Sequence, residues 1–460
     1  MKTTMKKLSV VLVTLLLFAG SFTTKAQETD AELECNMKYT QFRGVFTGGH
    51  YDKAYEPWLW TFENCPKLSI NIYKNGLKMA KKKYSTSEGA EKEAAKVLIE
   101  RIYQQRLEFF PEEKPGKMYS EYGMFMDKAG ASEEVVFALL QKAYDIKPES
   151  LGVKALFKYF DGIILRNKDT NIQAIFDMHD NLLDVVNTKM DKFSKELDVI
   201  RETEEAGEEL SKRQAYLKKA YSTNLTGLGQ VEGGLGAKLE VYATCDRLIP
   251  LYEADCSTHS NDIQWLRRAV SRLNHKGCTD SALYDKMVEK WVGLDPSADV
   301  AVYYAELLMK KGNEPKALEY FKKAEELETD NYKRANLLLK IAYMMKKKGR
   351  KGEARSYAYK AVKARPSLGK AYLLISSMYA SSAKSCSGGD VFTQRMVYQA
   401  ALVKAQKARN IDPSISKLAA KYINNYAAKA PSTQDVFDKG IASGTPFKIG
   451  CWIGETVRVP

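Results

Sequence analysis

The chain has 460 residues, 45% hydrophobic and 28% charged, with a formal net charge of +14. The charge falls to +10 once Lys2, Lys6, Lys7 and Lys25 are set aside as part of an export signal. Beyond the N-terminal run no stretch approaches about 18 apolar residues, so no transmembrane segment is expected in the mature chain. Basicity in an exported chain points to anionic surface polymers or acidic proteins before nucleic acid, and many of the lysines read as solvated helix faces.

Lys2, Lys6 and Lys7 precede the apolar run Leu8–Ala19, and Thr24-Lys25-Ala26 forms a small-x-small cleavage site before Gln27. This predicts a signal peptide over residues 1–26. The first cysteine, Cys35, lies too far from Ala26 for a lipoprotein anchor. Seven cysteines in an oxidising compartment allow three disulfides and one free thiol.

From residue 27 onward the pattern is helical, and one local arrangement recurs. Gly49-His-Tyr-Asp-Lys-Ala54 leads to Trp58 and Pro66. Gly312-Asn-Glu-Pro-Lys-Ala317 leads to Phe321 and Ala324. Gly349-Arg-Lys-Gly-Glu-Ala354 leads to Ala358, Ala361 and Pro366. Each glycine ends one helix, and five residues later a small residue opens the packing face of the next. Counting back from Pro366, one unit starts at Ala335 with Ala342 at its first small position. The unit before it starts at Ala298, with Ala305, Ala317, Phe321 and Ala324 in matching places and Thr329 in place of the proline. A third has Tyr372 and Tyr379, then an insertion around 381–397, then Ala401, Ala405, Ala408 and Pro413. Pro148 and Pro296 close two weaker units.

Between the two sets of repeats, Ile172, Ile175, Leu182, Leu183, Val186, Met190, Phe193, Leu197 and Ile200 fall at three- and four-residue steps. They predict a long helix, and Leu210, Tyr216, Leu217 and Tyr221 predict its return. The pair reads either as a protruding hairpin or as two long solenoid helices. The glycine run Gly227–Gly236 fails the dinucleotide fingerprint, because its third glycine comes one residue late and its flanks are helical. It reads as a flexible link between helices.

Cys256, His259, His275 and Cys278 have a zinc-like C-x2-H-x15-H-x2-C spacing. Ile263, Leu266, Val270 and Leu273 predict a helix between the pairs, with start signals at Ser260, Asn261 and Asp262 and a stop at Asn274 with Gly277. Such a helix separates His259 from His275 by roughly 24 Å, against the about 2 Å from one ion that each zinc ligand requires. No metal or other cofactor is expected. With no H-E-x-x-H or G-x-S-x-G present, and with His50 and His179 isolated on helical segments, the chain is not expected to be an enzyme. Residues 446–460 alternate and are β-branched, which predicts a short strand or hairpin.

The glycine, alanine and proline spacing is the tetratricopeptide pattern, so the expected fold is an all-α, tetratricopeptide-like helical-hairpin solenoid. It would carry a long central helical hairpin and a short C-terminal β strand or hairpin. The expected divisions are a signal peptide over 1–26, N-terminal repeats over 27–150, the long hairpin over 151–250, C-terminal repeats over 251–445 and a β tail over 446–460. Through Tyr51–Trp58, Glu63–Pro66 and Cys451–Glu455 the chain resembles exported tetratricopeptide proteins of Bacteroidota. That resemblance implies a non-catalytic scaffold, periplasmic or outer-membrane-associated in a Gram-negative bacterium, working with an envelope protein.

Solenoids of this kind bind on the concave side, through first-helix residues of successive repeats. Those positions here carry Glu306 and Lys310, then Asn336, Tyr343, Lys346 and Lys347, then Lys370. Lysine with tyrosine and asparagine suits an acidic or extended segment of a partner protein. Val302 and Leu339 stand where chaperone-type domains place the lysine that grips a C-terminal carboxylate. The alternative to a protein scaffold is a binder of anionic glycan or lipid at the outer membrane surface. Cys35 opens the first helix of its unit and Cys65 closes the second; in an antiparallel pair those ends are neighbours, which predicts a Cys35–Cys65 disulfide. Cys386 and Cys451 form a second candidate pair with no register argument. Cys245, Cys256 and Cys278 then leave one bond and one free thiol unassigned.

Overall fold

The structure, a computed structural model, describes residues 30–460. The expected signal peptide lies outside them. The chain divides into two compact units, with the division after Pro115.

The N-terminal unit is two antiparallel helix pairs, α1 (Asp30–Thr47) with α2 (Tyr51–Asn64) and α3 (Ile70–Thr86) with α4 (Gly89–Phe109). Trp58 of α2 is fully buried and donates its indole N–H to the Ile72 carbonyl at 2.7 Å. Gly76 of α3 lets the indole lie that close; a Cβ there would stand 2.4 Å from the ring. Cys35 and Cys65 are joined across the first hairpin with Cα atoms 5.9 Å apart.

The second unit opens with α5 (Pro115–Lys128), α6 (Glu133–Ile146) and α7 (Val153–Asn167). The Gly152 N–H donates to Ser120 Oγ at 3.0 Å. Residues 116–150 fall within this second unit. The long hairpin follows, α8 (Ile172–Glu205) and α9 (Lys212–Glu240), then α10 (Cys245–Asp255), α11 (Ile263–His275) and α12 (Ala282–Leu294). Three hairpins come next: α13 (Ala298–Lys310) with α14 (Glu314–Leu327), α15 (Asn331–Lys347) with α16 (Lys351–Ala364), and α17 (Gly369–Ala380) with α18 (Val391–Ile411). Helices α19 (Ser416–Ala427) and α20 (Thr433–Lys439) and the antiparallel strands β1 (Pro446–Lys448) and β2 (Thr456–Arg458) complete the unit.

The turn chemistry of the repeats is the same wherever the sequence repeats. Gly49, Gly312 and Gly349 have φ of +80°, +77° and +77°, the left-handed region open to a residue without Cβ. Each is followed by a residue whose N–H reaches back five positions: His50 to Val45 O, Asn313 to Leu308 O, and Arg350 to Met345 O. This is a Schellman closure of the first helix. Ala54, Ala317 and Ala354 are all fully buried, as are Ala305 with Ala342 and Ala324 with Ala361. The methyl groups let the helix axes approach, while Trp58 and Phe321 one turn on supply the apolar area, about 1.5–3 kcal/mol for a fully buried large side chain. In the third hairpin Ser376 takes the small position and satisfies its hydroxyl by donating to the Ala401 carbonyl at 2.5 Å. The architecture is a solenoid of tetratricopeptide-like hairpins.

The glycine run is a correction. It lies inside α9, not in a link. Gly229 meets the chain at Ser414, where a Cβ would stand 1.9 Å from the carbonyl oxygen. Gly227 lies against Val153, and Gly234 against Phe157. Helix interior glycine costs up to about 1 kcal/mol per residue, offset here by close approach of the neighbouring segments. Much of the long hairpin is docked along the second unit. Arg201 reaches the Ile411 carbonyl at 3.0 Å, and Thr226 donates to the Pro413 carbonyl at 3.0 Å. Its tip is solvated, with Tyr216 71% exposed.

The β hairpin caps the repeats. Cys451 is bonded to Cys386, and Glu455 accepts from Tyr359 and Tyr379 hydroxyls at 2.7 and 2.5 Å and from Lys404 at 2.8 Å. Arg355 donates to the Ile453 carbonyl and lies over the Trp452 ring. A third disulfide joins Cys245 to Cys278, which leaves Cys256 as a buried free thiol. Cys278 therefore offers no thiolate, and α11 stands between His259 and His275. Among the described residues no helix is long and apolar enough to cross a membrane.

Candidate functional site

Helices α13, α15 and α17 present the positions singled out for binding, and the structure sorts them by partner. Glu306 is 9% exposed and accepts from the Asn274 side chain, so it belongs to the packing of α11 against α13. Lys310 donates to the Thr279 carbonyl at 2.6 Å and lies 3.6 Å from Asp280 and Asp285. Lys370 donates to both carboxylate oxygens of Glu232 on α9 at 2.8 Å. Lys347 lies 4.0 Å from Glu306. Each of these ammonium groups already has a carboxylate near it.

Lys346 differs. Its ammonium donates to the Ser377 hydroxyl at 3.0 Å and makes no ion pair. Lys351, just past the Gly349 turn, likewise donates to Ser382 at 2.7 Å and Ser381 at 3.4 Å. Burial, and then repulsion from Lys351, hold the Lys346 ammonium below its ordinary pKa. Two cations with only hydroxyl partners make a locally uncompensated positive site, to which an incoming carboxylate would bring charge-assisted hydrogen bonds.

Tyr343 stands one turn before Lys346 on α15, 47% exposed. Partial burial pushes its pKa up to about 12, with Tyr422 and Glu232 adding to the rise. Asn336 is exposed nearer the start of the same helix. Lys351, Ser377 and Ser381 were not singled out in the sequence. Their signal is faint: Lys351 belongs to a turn, and the serines gain meaning only when α17 is laid beside α15.

No protein-family model matches the chain, and no curated protein matches it. Among solved structures it is similar to the TPR2AB domain of yeast Sti1 in complex with pHSP90, at 11% identity and TM-score 0.22, over 68% of this chain and 98% of that one. It is also similar to yeast Tom70, at 13% identity and TM-score 0.24, over 87% and 96%. At such scores the backbones do not superpose as wholes, so the tetratricopeptide-like assignment rests on the repeat geometry described above.

Proposed function

We propose that this chain is a non-catalytic, exported scaffold that binds an acidic, extended segment of another cell-envelope protein on the concave side of the C-terminal repeats. The observation that carries the reading is Lys346 beside Lys351, two ammonium groups with serine hydroxyls and no carboxylate, next to the exposed ring of Tyr343. An aromatic anchor beside desolvated charge is the composition of a binding hot spot. Asn336 extends the surface along α15, while Lys310, Lys347 and Lys370 set its positive rim although each has an internal partner. Three disulfides support an oxidising compartment. The test is affinity purification from native envelopes with the wild-type chain and with the double variant Lys346→Glu, Lys351→Glu. A stoichiometric protein partner, lost in the variant, is the expected result; equal retention by the variant would reject this site.

A second reading, binding of anionic glycan or lipid, is favoured by α3. That helix carries five lysines and no acidic residue. Lys78 lies 5.5 and 5.3 Å from the rings of Phe46 and Tyr51, and Lys82 lies 5.1 Å from Tyr51, without an ion pair for either. Retention of an anionic polysaccharide that falls steeply with salt and with Lys78→Gln plus Lys82→Gln would favour it. No such retention by the wild type would rule it out.

A further inference from the structure

We propose that the junction of α8, α10 and α11 is a binding pocket for a small zwitterion, of the size and charge pattern of a free α-amino acid. The cavity holds about 220 Å³. That is below the roughly 300–1,000 Å³ of pockets for drug-sized ligands, so its occupant is a single small unit.

The floor of the cavity is structural. Arg272 is 6% exposed and fully engaged: it pairs with Asp180 at 2.5 Å, donates to the Phe176 carbonyl at 3.0 Å and donates to the Tyr252 hydroxyl. None of this charge is available to a ligand.

The walls are different. On α8, Asp177 makes no ion pair; it accepts only from the Gln173 amide one turn earlier, at 2.9 Å. Gln173 Oε1 is itself buried with no hydrogen-bond partner. Leaving such an acceptor unmet costs about 1–3 kcal/mol; the atom is closed to solvent, so it marks local strain in the wall and is not a contact for a ligand. Facing α8, α11 contributes Arg268, whose guanidinium donates to a neutral acceptor, Asn181 Oδ1, at 2.6 Å and makes no ion pair. Asp184 feels the field of Arg268 without bonding to it. Trp265 lines the same space, stacked on His259 with ring centroids 5.3 Å apart and edge-on to Tyr252 at 5.7 Å.

One wall thus offers a carboxylate without an ion pair, and the other offers a guanidinium without an ion pair beside aromatic rings, where the Asp262 carboxylate is already engaged in capping α11. An α-ammonium pairs with Asp177, an α-carboxylate pairs with Arg268, and an apolar side chain lies against Trp265. A neutral sugar would leave both charges unpaired. A simple anion or a simple amine would leave one.

The test is titration calorimetry of the full chain against the common amino acids, their N-acetyl and carboxamide derivatives, and a set of monosaccharides. Saturable binding of at least one amino acid is expected, weakened by about tenfold or more on N-acetylation, on amidation, and in Asp177→Asn and Arg268→Gln, the scale of one charge-assisted hydrogen bond. The derivatives probe the same two contacts on the wild-type protein, so a variant that fails to fold leaves the test intact. Absence of binding by every amino acid, undiminished binding of the blocked derivatives, or binding of sugars alone would overturn the proposal.

Discussion

Arg365, in the turn after α16, donates to Asp191 of α8 at 2.9 Å and to Ser194 at 2.8 Å, across 174 and 171 residues of sequence. The arginine is 6% exposed. This clamp holds the long hairpin to the repeat array, with the Tyr332 and Ser367 hydroxyls on Asp198 at 2.5 and 2.9 Å beside it. Replacing Arg365 with leucine removes a buried cation and leaves Asp191 partly solvated. The expected loss is about 2–3 kcal/mol, below the full cost of breaking a buried pair because Asp191 keeps some water. Urea denaturation measures it, and a change within about 0.5 kcal/mol would show that the clamp is dispensable.

Two glycines of α9 should respond to alanine with opposite sign. Gly229→Ala drives a Cβ into the Ser414 carbonyl and is expected to destabilise by about 1–3 kcal/mol. Gly233 meets nothing within 4 Å, so Gly233→Ala is expected to stabilise by about 0.5–1 kcal/mol through helix propensity alone. Thermal melts of the two variants check the contrast; shifts in the same direction would contradict this placement of α9.

The Cys35–Cys65 bridge should stabilise the N-terminal unit. Chain entropy for a loop of about 30 residues gives roughly 3–4 kcal/mol. Cys35→Ser is expected to make the first hairpin open before the rest, seen as selective loss of amide protection in α1 and α2. Peptide mapping without reduction provides the direct check: both thiols alkylated would mean that no bridge exists.

Acid should loosen the C-terminal cap. Burial works against the Glu455 charge, but Lys404, Tyr379 and Tyr359 outweigh it and hold the carboxyl below its ordinary pKa of 4.5. A depressed carboxylate contributes stability that is present above the unfolded value and lost as pH falls through the folded one. The cap is therefore expected to stay docked above pH 4.5 and to loosen below it, with a change in the fluorescence of Trp452. Glu455→Gln should abolish that transition; its persistence in the variant would assign it to another group.

The repeat was legible because its signals are local. Gly49, Gly312 and Gly349 each occupy a turn that needs positive φ, and the alanine five residues later packs one hairpin on itself. The Cys35–Cys65 proximity follows from the same short-range geometry, since antiparallel helices bring those two ends together. The helix between His259 and His275 was equally plain from its apolar spacing and the start signals Ser260, Asn261 and Asp262, of which the structure uses Asp262.

The glycine run and the lysine face were not legible in the same way. Glycines along α9 look like a linker in composition, and only the arrival of Ser414 at Gly229, 185 positions away in sequence, makes them a close-packed helix face. Lys346 and Lys370 are alike in sequence, yet one finds a serine hydroxyl and the other a glutamate from α9. Helix ends, hairpins and small packing positions were set by interactions within about 40 residues, so the sequence by itself determined them. Which charges find a counter-charge, and where a cavity is left, were decided by the tertiary structure, through contacts such as Arg268 to Asn181, Lys370 to Glu232 and Arg201 to Ile411 at 87, 138 and 210 residues of separation, because ion pairing and close packing depend on distance in space and leave no period in the chain.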